Sequence, residues 1–280
     1  MSFVGRVASA VLPAAVAEPL RRLARRLSVL RFRAYDARHR YGDRELLIHI
    51  ADPLARGWYD HDWAAGTEIA ALRRGGRLRA GARVFDVGAH QGVVALMLSD
   101  IVGRAGRVIA VEAVAHNVRQ ARQNAVANAA TQLDVVHAAI ADTDGTLWFE
   151  DRWNGAVSRT SGVGVRTDAV TIDTLAERYG PPDVLFLDVE GFELHALRGA
   201  ARTLAEHAPD LFVEVHVGAG LERFGTVDDL LRLIPAGYER LVAPGEEGEF
   251  VPIAEGGPLM AERFRLVAFA PRAPDISAHD

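Results

Sequence analysis

From Arg83 onward the chain alternates short, almost wholly apolar runs with longer amphipathic ones, and this rhythm narrows the possible fold more than any other feature. "RVFDVGA" leads into a helical pattern over residues 93–101, and "RVIAVEA" into one over 116–128. "LDVVHAAI" follows. Later "DVLFLDV" precedes a helical stretch at 192–206 and "DLFVEVH" one at 227–234, before "YERLVA" and "RFRLVAFA" close the series. Strands that are apolar on both faces and separated by helices belong to a parallel sheet covered on both sides. The expectation is an α/β, doubly wound, mostly parallel sheet with an antiparallel C-terminal strand.

The flanking segments are less regular. "RELLIHIA" reads as a strand, and "RGWYDHDWAAGTEIAALRRGG" as a loop entering a helix closed by Gly75 and Gly76. The organisation expected is a helical N-terminal extension with a lid segment (1–66), one domain (67–272) and a frayed tail (273–280). Between 142 and 171 the alternation lapses into a hairpin or irregular excursion carrying Trp148 and Trp153. A chain of 280 residues that is 49% hydrophobic can bury a full core. The apolar "VASAVLPAAVAEPL" imitates a signal peptide, but only Arg6 precedes it and Pro13 interrupts it, so a cytoplasmic protein without a membrane span is expected. The basic run "RRLARRLSVLRFR" is read as an amphipathic helix packed on the domain, with contact to an anionic membrane surface as the alternative.

Composition removes several chemistries. The chain contains no cysteine, which excludes disulfides, thiolate metal sites and cysteine nucleophiles, and all 32 of its Lys and Arg residues are arginine, which excludes a lysine base or Schiff base. A net charge of −5 disfavours a nucleic-acid partner.

In open α/β sheets ligands bind beyond the carboxyl ends of the strands. That rule selects Asp86 and Gly88, Glu112, Asp142, Asp188 and Glu190, and Glu214 and His216. Glu190 is also a candidate cap for the helix after Gly191. The spacing Gly88-x-x-x-Gly92 is not the G-x-G-x-x-G fingerprint of a pyrophosphate site, so an adenosine joined to a non-phosphate group is preferred over NAD, with Glu112 placed to grip both ribose hydroxyls.

"FDVGAHQG" resembles the first motif of class I S-adenosylmethionine-dependent methyltransferases, and "VTIDTL", "DVEGFELHALRGA" and "LFVEVH" resemble the FkbM family of those enzymes, over residues 68–216 and the terminal strands. The resemblance implies a Rossmann-like methyltransferase domain with S-adenosylmethionine as cofactor. It implies that Gly88, Ala89, His90 and Gly92 form the turn at the cofactor's amino-acid end, that Asp86 orients its ammonium and Glu112 its ribose, and that Ile140 and Asp142 border the adenine. His90 stands where the family commonly has asparagine, and Phe186 where it commonly has lysine. The implied reaction is methylation of a hydroxyl on a small acceptor, either a sugar or a glycosylated or polyketide-like natural product.

Asp188 and His216 are the candidates for taking the acceptor's proton, and Asp188, Glu214 and His216 together make a possible site for Mg²⁺ or Mn²⁺. Trp58, Tyr59 and Trp63, with Trp153 and Asn154 of the excursion, are the candidate acceptor walls. An NAD-dependent oxidoreductase and a non-catalytic nucleotide-binding or membrane-associated scaffold stand as alternatives.

Overall fold

The computed structural model describes residues 31–64, 66–149, 165–245, 248–253 and 261–271. The strand expected at "RELLIHIA" is present, paired with one that was not expected. Strands β1 (Tyr35–Tyr41) and β2 (Arg44–Ile50) form an antiparallel hairpin, followed by helix α1 (Pro53–Tyr59) where a loop was expected. The β1 sequence YDARHRY turns only Ala37 and Tyr41 to the core, a face too weakly apolar to reveal its strand character. The start of α1 is conventional: the Asp52 side chain accepts from the N–H groups of Leu54 and Ala55 at 2.9 and 2.8 Å, and Pro53 occupies the first turn. The basic run read as a helix falls almost entirely outside the described residues.

Helix α2 (Thr67–Gly75) ends at the left-handed Gly76, and β3 (Arg83–Val87) then opens the expected series. It continues with α3 (Val93–Val102), β4 (Arg107–Glu112), α4 (Ala115–Ala127) and β5 (Leu133–His137). The excursion is mainly a second, three-stranded sheet of β6 (Ala139–Ile140), β7 (Gly145–Phe149) and β8 (Val165–Val170), in the order β6-β8-β7. Trp153 and Asn154 lie outside the described residues. Next come α5 (Ile172–Tyr179), β9 (Val184–Leu187), α6 (Glu193–Arg198), α7 (Ala201–His207), β10 (Asp210–Val215) and α8 (Val227–Leu233). Strands β11 (Glu239–Pro244), β12 (Val251–Pro252) and β13 (Phe264–Phe269) complete the chain.

The main sheet has the order β12-β11-β13-β10-β9-β3-β4-β5. Strands β10, β9, β3, β4 and β5 run parallel, and β13 is antiparallel to both β10 and β11, as the closing run implied. The chain builds outward from β3 in one direction and from β9 in the other, so the strand order switches between these two neighbours and the crevice opens above their carboxyl ends. All residues of β9 and β10 are buried, which follows from their apolar runs being covered on both faces. The single helix expected at 192–206 breaks into α6 and α7. Gly199 lies in the break, where a Cβ would come within 2.1 Å of the Ala141 carbonyl oxygen.

The hairpin and α1 are fastened to the main domain by polar contacts. Asn124 of α4 and Asn128, which closes that helix, reach the outer edge of β2: their side-chain oxygens accept from His49 and Leu47 N–H at 2.8 and 2.9 Å, and the Asn128 amide donates to the Leu47 carbonyl at 2.8 Å. Buried Asp52 receives Gln91 Nε2 at 2.7 Å and lies 2.9 Å from His116 Nε2. Burial disfavours its charge, but these hydrogen bonds and the Ala55 N–H prevail and bring its pKa down to about 2. Among the described residues no helix is long and apolar enough to cross a membrane.

Candidate active site

The turn after β3 is shaped by close backbone approach. Gly88 has φ +90°, and a Cβ on it would stand 1.7 Å from the Asp188 carbonyl oxygen, so only glycine lets this turn lie against the chain leaving β9. The N–H groups of Gly88 and Ala89 both donate to the Val111 carbonyl of β4 at 2.9 and 3.1 Å. Gly92 closes the turn by donating to the Ala89 carbonyl at 2.8 Å. His90 is also left-handed, at φ +48°, a conformation that asparagine tolerates better than most residues.

Two buried carboxyl groups end the adjacent strands. Glu112 accepts the His90 N–H at 2.9 Å on one oxygen and the Val114 N–H at 2.7 Å on the other. Burial nevertheless raises its pKa to about 7. Burial, and then the neighbouring Glu112 charge, raises Asp86 to about 7 as well, and Asp86 Oδ2 has no hydrogen-bond partner among the described residues. An orphaned carboxylate oxygen beside bare glycine backbone is suited to a cation.

Ile140 is buried at the end of β6, and Asp142, two residues on, lies 2.8 Å from His195 Nδ1. The His195 ring stacks on Phe192 at 4.1 Å, with Phe224 edge-on to both.

A second cluster stands at the ends of β9 and β10. One ligand atom from each of Asp188, Glu214 and His216 lies within 4.8 Å of the others, as the strand-end rule anticipated. His216 Nδ1 lies 2.6 Å from Glu193 Oε1, and its Nε2 lies 3.6 Å from both Asp188 Oδ1 and Glu190 Oε2 without hydrogen-bonding either. Burial disfavours the charged ring, but Glu193, Asp188 and Glu190 outweigh it and raise the pKa to about 9. Burial and the Glu214 charge push Asp188 well above the carboxylate range. Glu214 is paired with Arg263.

Glu193 and Arg263 escaped the sequence reading. The helix-capping role weighed for Glu190 is not filled, since α6 starts from Phe192 without a side-chain cap; Glu193 instead accepts the Gly191 N–H at 2.9 Å, while Glu190 adopts φ +50° and faces His216. The repeated acids of "DVEGFE" were the available signal; which of them turns inward depends on the left-handed step at 190–191.

The three candidate aromatics of the N-terminal unit have different surroundings. Trp58 is 40% exposed, with its ring 4.9 Å from His90, and the Tyr59 hydroxyl lies 2.7 Å from His90 Nδ1. Trp63 is taken up in packing: its ring meets Tyr41 at 5.8 Å, and its indole N–H donates to the Trp58 carbonyl at 2.8 Å. Phe186 is core, with its ring 4.2 Å from Phe212, so an apolar contact fills the position where a lysine was the commoner residue.

No curated protein matches this sequence significantly. Among solved structures, the chain is similar to the methyltransferase FkbM from Methylobacillus flagellatus KT, at 18% identity and TM-score 0.46, over 67% of this chain and 43% of that one. A SAM-dependent methyltransferase from Aquifex aeolicus matches at 17% identity and TM-score 0.42, over 78% of this chain and 93% of that one. Aeropyrum pernix fibrillarin, solved with natively bound S-adenosyl-L-methionine, matches at 15% identity and TM-score 0.42, over 86% and 85%. The chain therefore spans less than half the length of the Methylobacillus protein. A family model described as the methyltransferase FkbM domain matches residues 86–240, more than half of the chain and the whole span from Asp86 to the far side of His216. That match sets aside the oxidoreductase alternative and agrees with the mostly parallel α/β sheet: the chain belongs to the FkbM family of methyltransferases.

Proposed function

We propose that the protein methylates a hydroxyl of a small acceptor, a sugar or a glycosylated or polyketide-like natural product, with S-adenosylmethionine as donor and a divalent cation, Mg²⁺ or Mn²⁺, held by Asp188, Glu214 and His216. The observation that carries this reading is the His216 ring. Its Nδ1 is fixed by buried Glu193, and its buried Nε2 is unpartnered and turned toward carboxylates. A histidine oriented through one nitrogen by a carboxylate, with the other nitrogen presented among oxygen ligands, is the arrangement by which proteins orient a metal-binding imidazole. Four carboxylates, of Asp188, Glu190, Glu193 and Glu214, surround a single imidazole and one arginine, an imbalance that a divalent cation would correct. The specific alternative is that His216 itself takes the acceptor's proton.

The residues around Gly88 suit the cofactor. Asp86 offers its unpaired oxygen to the ammonium, the Gly88–Ala89 backbone borders the amino-acid part, and Glu112, whose carboxylate is held by the N–H groups of His90, Ala113 and Val114 and by Asn117, is assigned to the ribose hydroxyls. His90 and Gly92 hold the turn, while Ile140 and the Asp142–His195 pair border the adenine. When bound, the cofactor supplies a methyl group already activated on a sulfonium. The protein then has to aim the acceptor oxygen in line with that methyl and dispose of one proton. We assign the aiming of the acceptor to Asp188, whose backbone lies against Gly88 and whose side chain joins the His216 cluster.

Glu112→Ala is expected to weaken S-adenosylmethionine by about 1.5 to 3 kcal/mol, the range for a hydrogen bond to a charged group. Titration calorimetry on the folded variant measures this, and an undiminished affinity removes the ribose assignment. Trp58, exposed beside the turn, is proposed as an acceptor platform. Trp58→Ala should therefore raise the acceptor's KM much more than the cofactor's. The reaction class is tested by offering hydroxyl, amine and carbon acceptors with labelled cofactor and locating the methyl group by NMR. Transfer to nitrogen or carbon alone would overturn the reading.

A further inference from the structure

Tyr59 lies outside the matched family segment, yet it reaches the turn after β3. It ends α1, is 5% exposed, and its hydroxyl meets His90 in the cofactor turn. Its neighbours are aromatic: Trp58 at 6.2 Å, Trp63 at 5.6 Å and His90 at 5.7 Å, none stacked face to face on it. The carboxyl groups of Glu112, Asp188 and Asp86 act on the same hydroxyl and, after burial, raise its pKa well above the usual value, so the phenol keeps its proton. Burial lowers the pKa of His90 to about 4, so that ring is neutral and adds no competing positive charge. An aromatic cluster abutting the acid-rich ends of three strands is a chemical environment for a cation, and for one that carries methyl groups rather than N–H donors in particular.

We propose that Tyr59 is a cofactor-binding residue, its ring receiving the positively charged sulfonium of S-adenosylmethionine while His90 holds its hydroxyl. The N-terminal hairpin unit is then part of the cofactor site. Asp52 holds it to Gln91 of the turn and to His116, and Asn124 and Asn128 hold its β2 edge to α4. This inference rests on the cofactor and not on the identity of the acceptor.

The test uses the full chain and two ligands that differ in charge at sulfur, S-adenosylmethionine and the neutral thioether S-adenosylhomocysteine. Tyr59→Leu is expected to weaken the sulfonium ligand by roughly tenfold to thirtyfold, the scale of a desolvated cation–π contact, and the thioether by no more than about threefold. Tyr59→Phe, which keeps the ring, should retain sulfonium binding within about tenfold, the loss of a single hydrogen bond. Phenylalanines of increasing fluorination at position 59 remove the ring's negative face with little change in shape, and should weaken S-adenosylmethionine stepwise while leaving the thioether unchanged. They keep the test decisive if the leucine variant does not fold. Equal losses for the two ligands, a flat fluorination series, or tighter binding in Tyr59→Leu would each overturn the proposal. Failure of the native chain to bind either ligand would instead count against the cofactor assignment itself.

Discussion

His216→Ala is expected to lower kcat by roughly 10² to 10⁴, the range for losing a positioned proton acceptor, with the cofactor's Kd unchanged. Chelation separates the two ways in which His216 can act. If Asp188, Glu214 and His216 hold a cation that activates the acceptor hydroxyl, stripped wild-type enzyme falls to the level of the alanine variant, and Mn²⁺ or Mg²⁺ restores only the wild type. The mixed set of two carboxylates and an imidazole suits Mn²⁺ somewhat better. If the imidazole alone takes the proton, chelation changes nothing. Turnover then rises with pH toward about 9, because a ring whose pKa is raised to that value is mostly protonated at neutrality. Full activity in both the chelated enzyme and the alanine variant would remove His216 from the chemistry.

A loss of stability of comparable size is expected for Glu193→Leu. Glu193 and His216 are both buried, their contact is 2.6 Å, and removing one member of a buried ionic pair costs about 3 to 5 kcal/mol. The effect depends on pH in a defined direction. His216 titrates near 6.5 when unfolded and near 9 when folded, so its contribution is complete below pH 6.5 and is lost as pH rises through 9. A shift of this extent corresponds to about 3 kcal/mol. Denaturant unfolding at pH 6, 8 and 9.5 should show the wild type losing its advantage over the variant across that window. A constant difference at all three values would mean that the two side chains are not coupled by charge.

The parallel core was legible because its signal is local. A strand such as VLFL can hide both faces only inside a covered sheet, and each such run is followed at a short distance by a helix. The turn after β3 was legible for a similar reason, since glycines and an acid at a strand end are fixed by backbone geometry. What escaped depends on long-range partners. YDARHRY becomes β1 only because Arg44–Ile50 returns beside it, and α1 is a seven-residue helix with one good cap, too short for its periodicity to stand out. Glu193 and Glu190 are indistinguishable by type. The left-handed backbone at 190 and 191 decides that Glu193 meets His216 through Nδ1 and that Glu190 faces Nε2. Arg263 enters the cluster from the residue just before β13, a strand that meets β10 only in the folded sheet.

The amides of Asn124 and Asn128 give β2 something a two-stranded ribbon otherwise lacks. An isolated hairpin has two open edges, and each is a template onto which another chain can add a strand. Here the outward N–H groups of Leu47 and His49 and the Leu47 carbonyl are already satisfied by side chains of a helix, which cannot propagate a ladder. The opposite edge, on β1, carries Asp36, Arg38 and Arg40, charges that discourage pairing. The hairpin can thus stand beside the main sheet without joining it. Removing the two amides together would turn β2 into an adhesive margin, visible as concentration-dependent self-association.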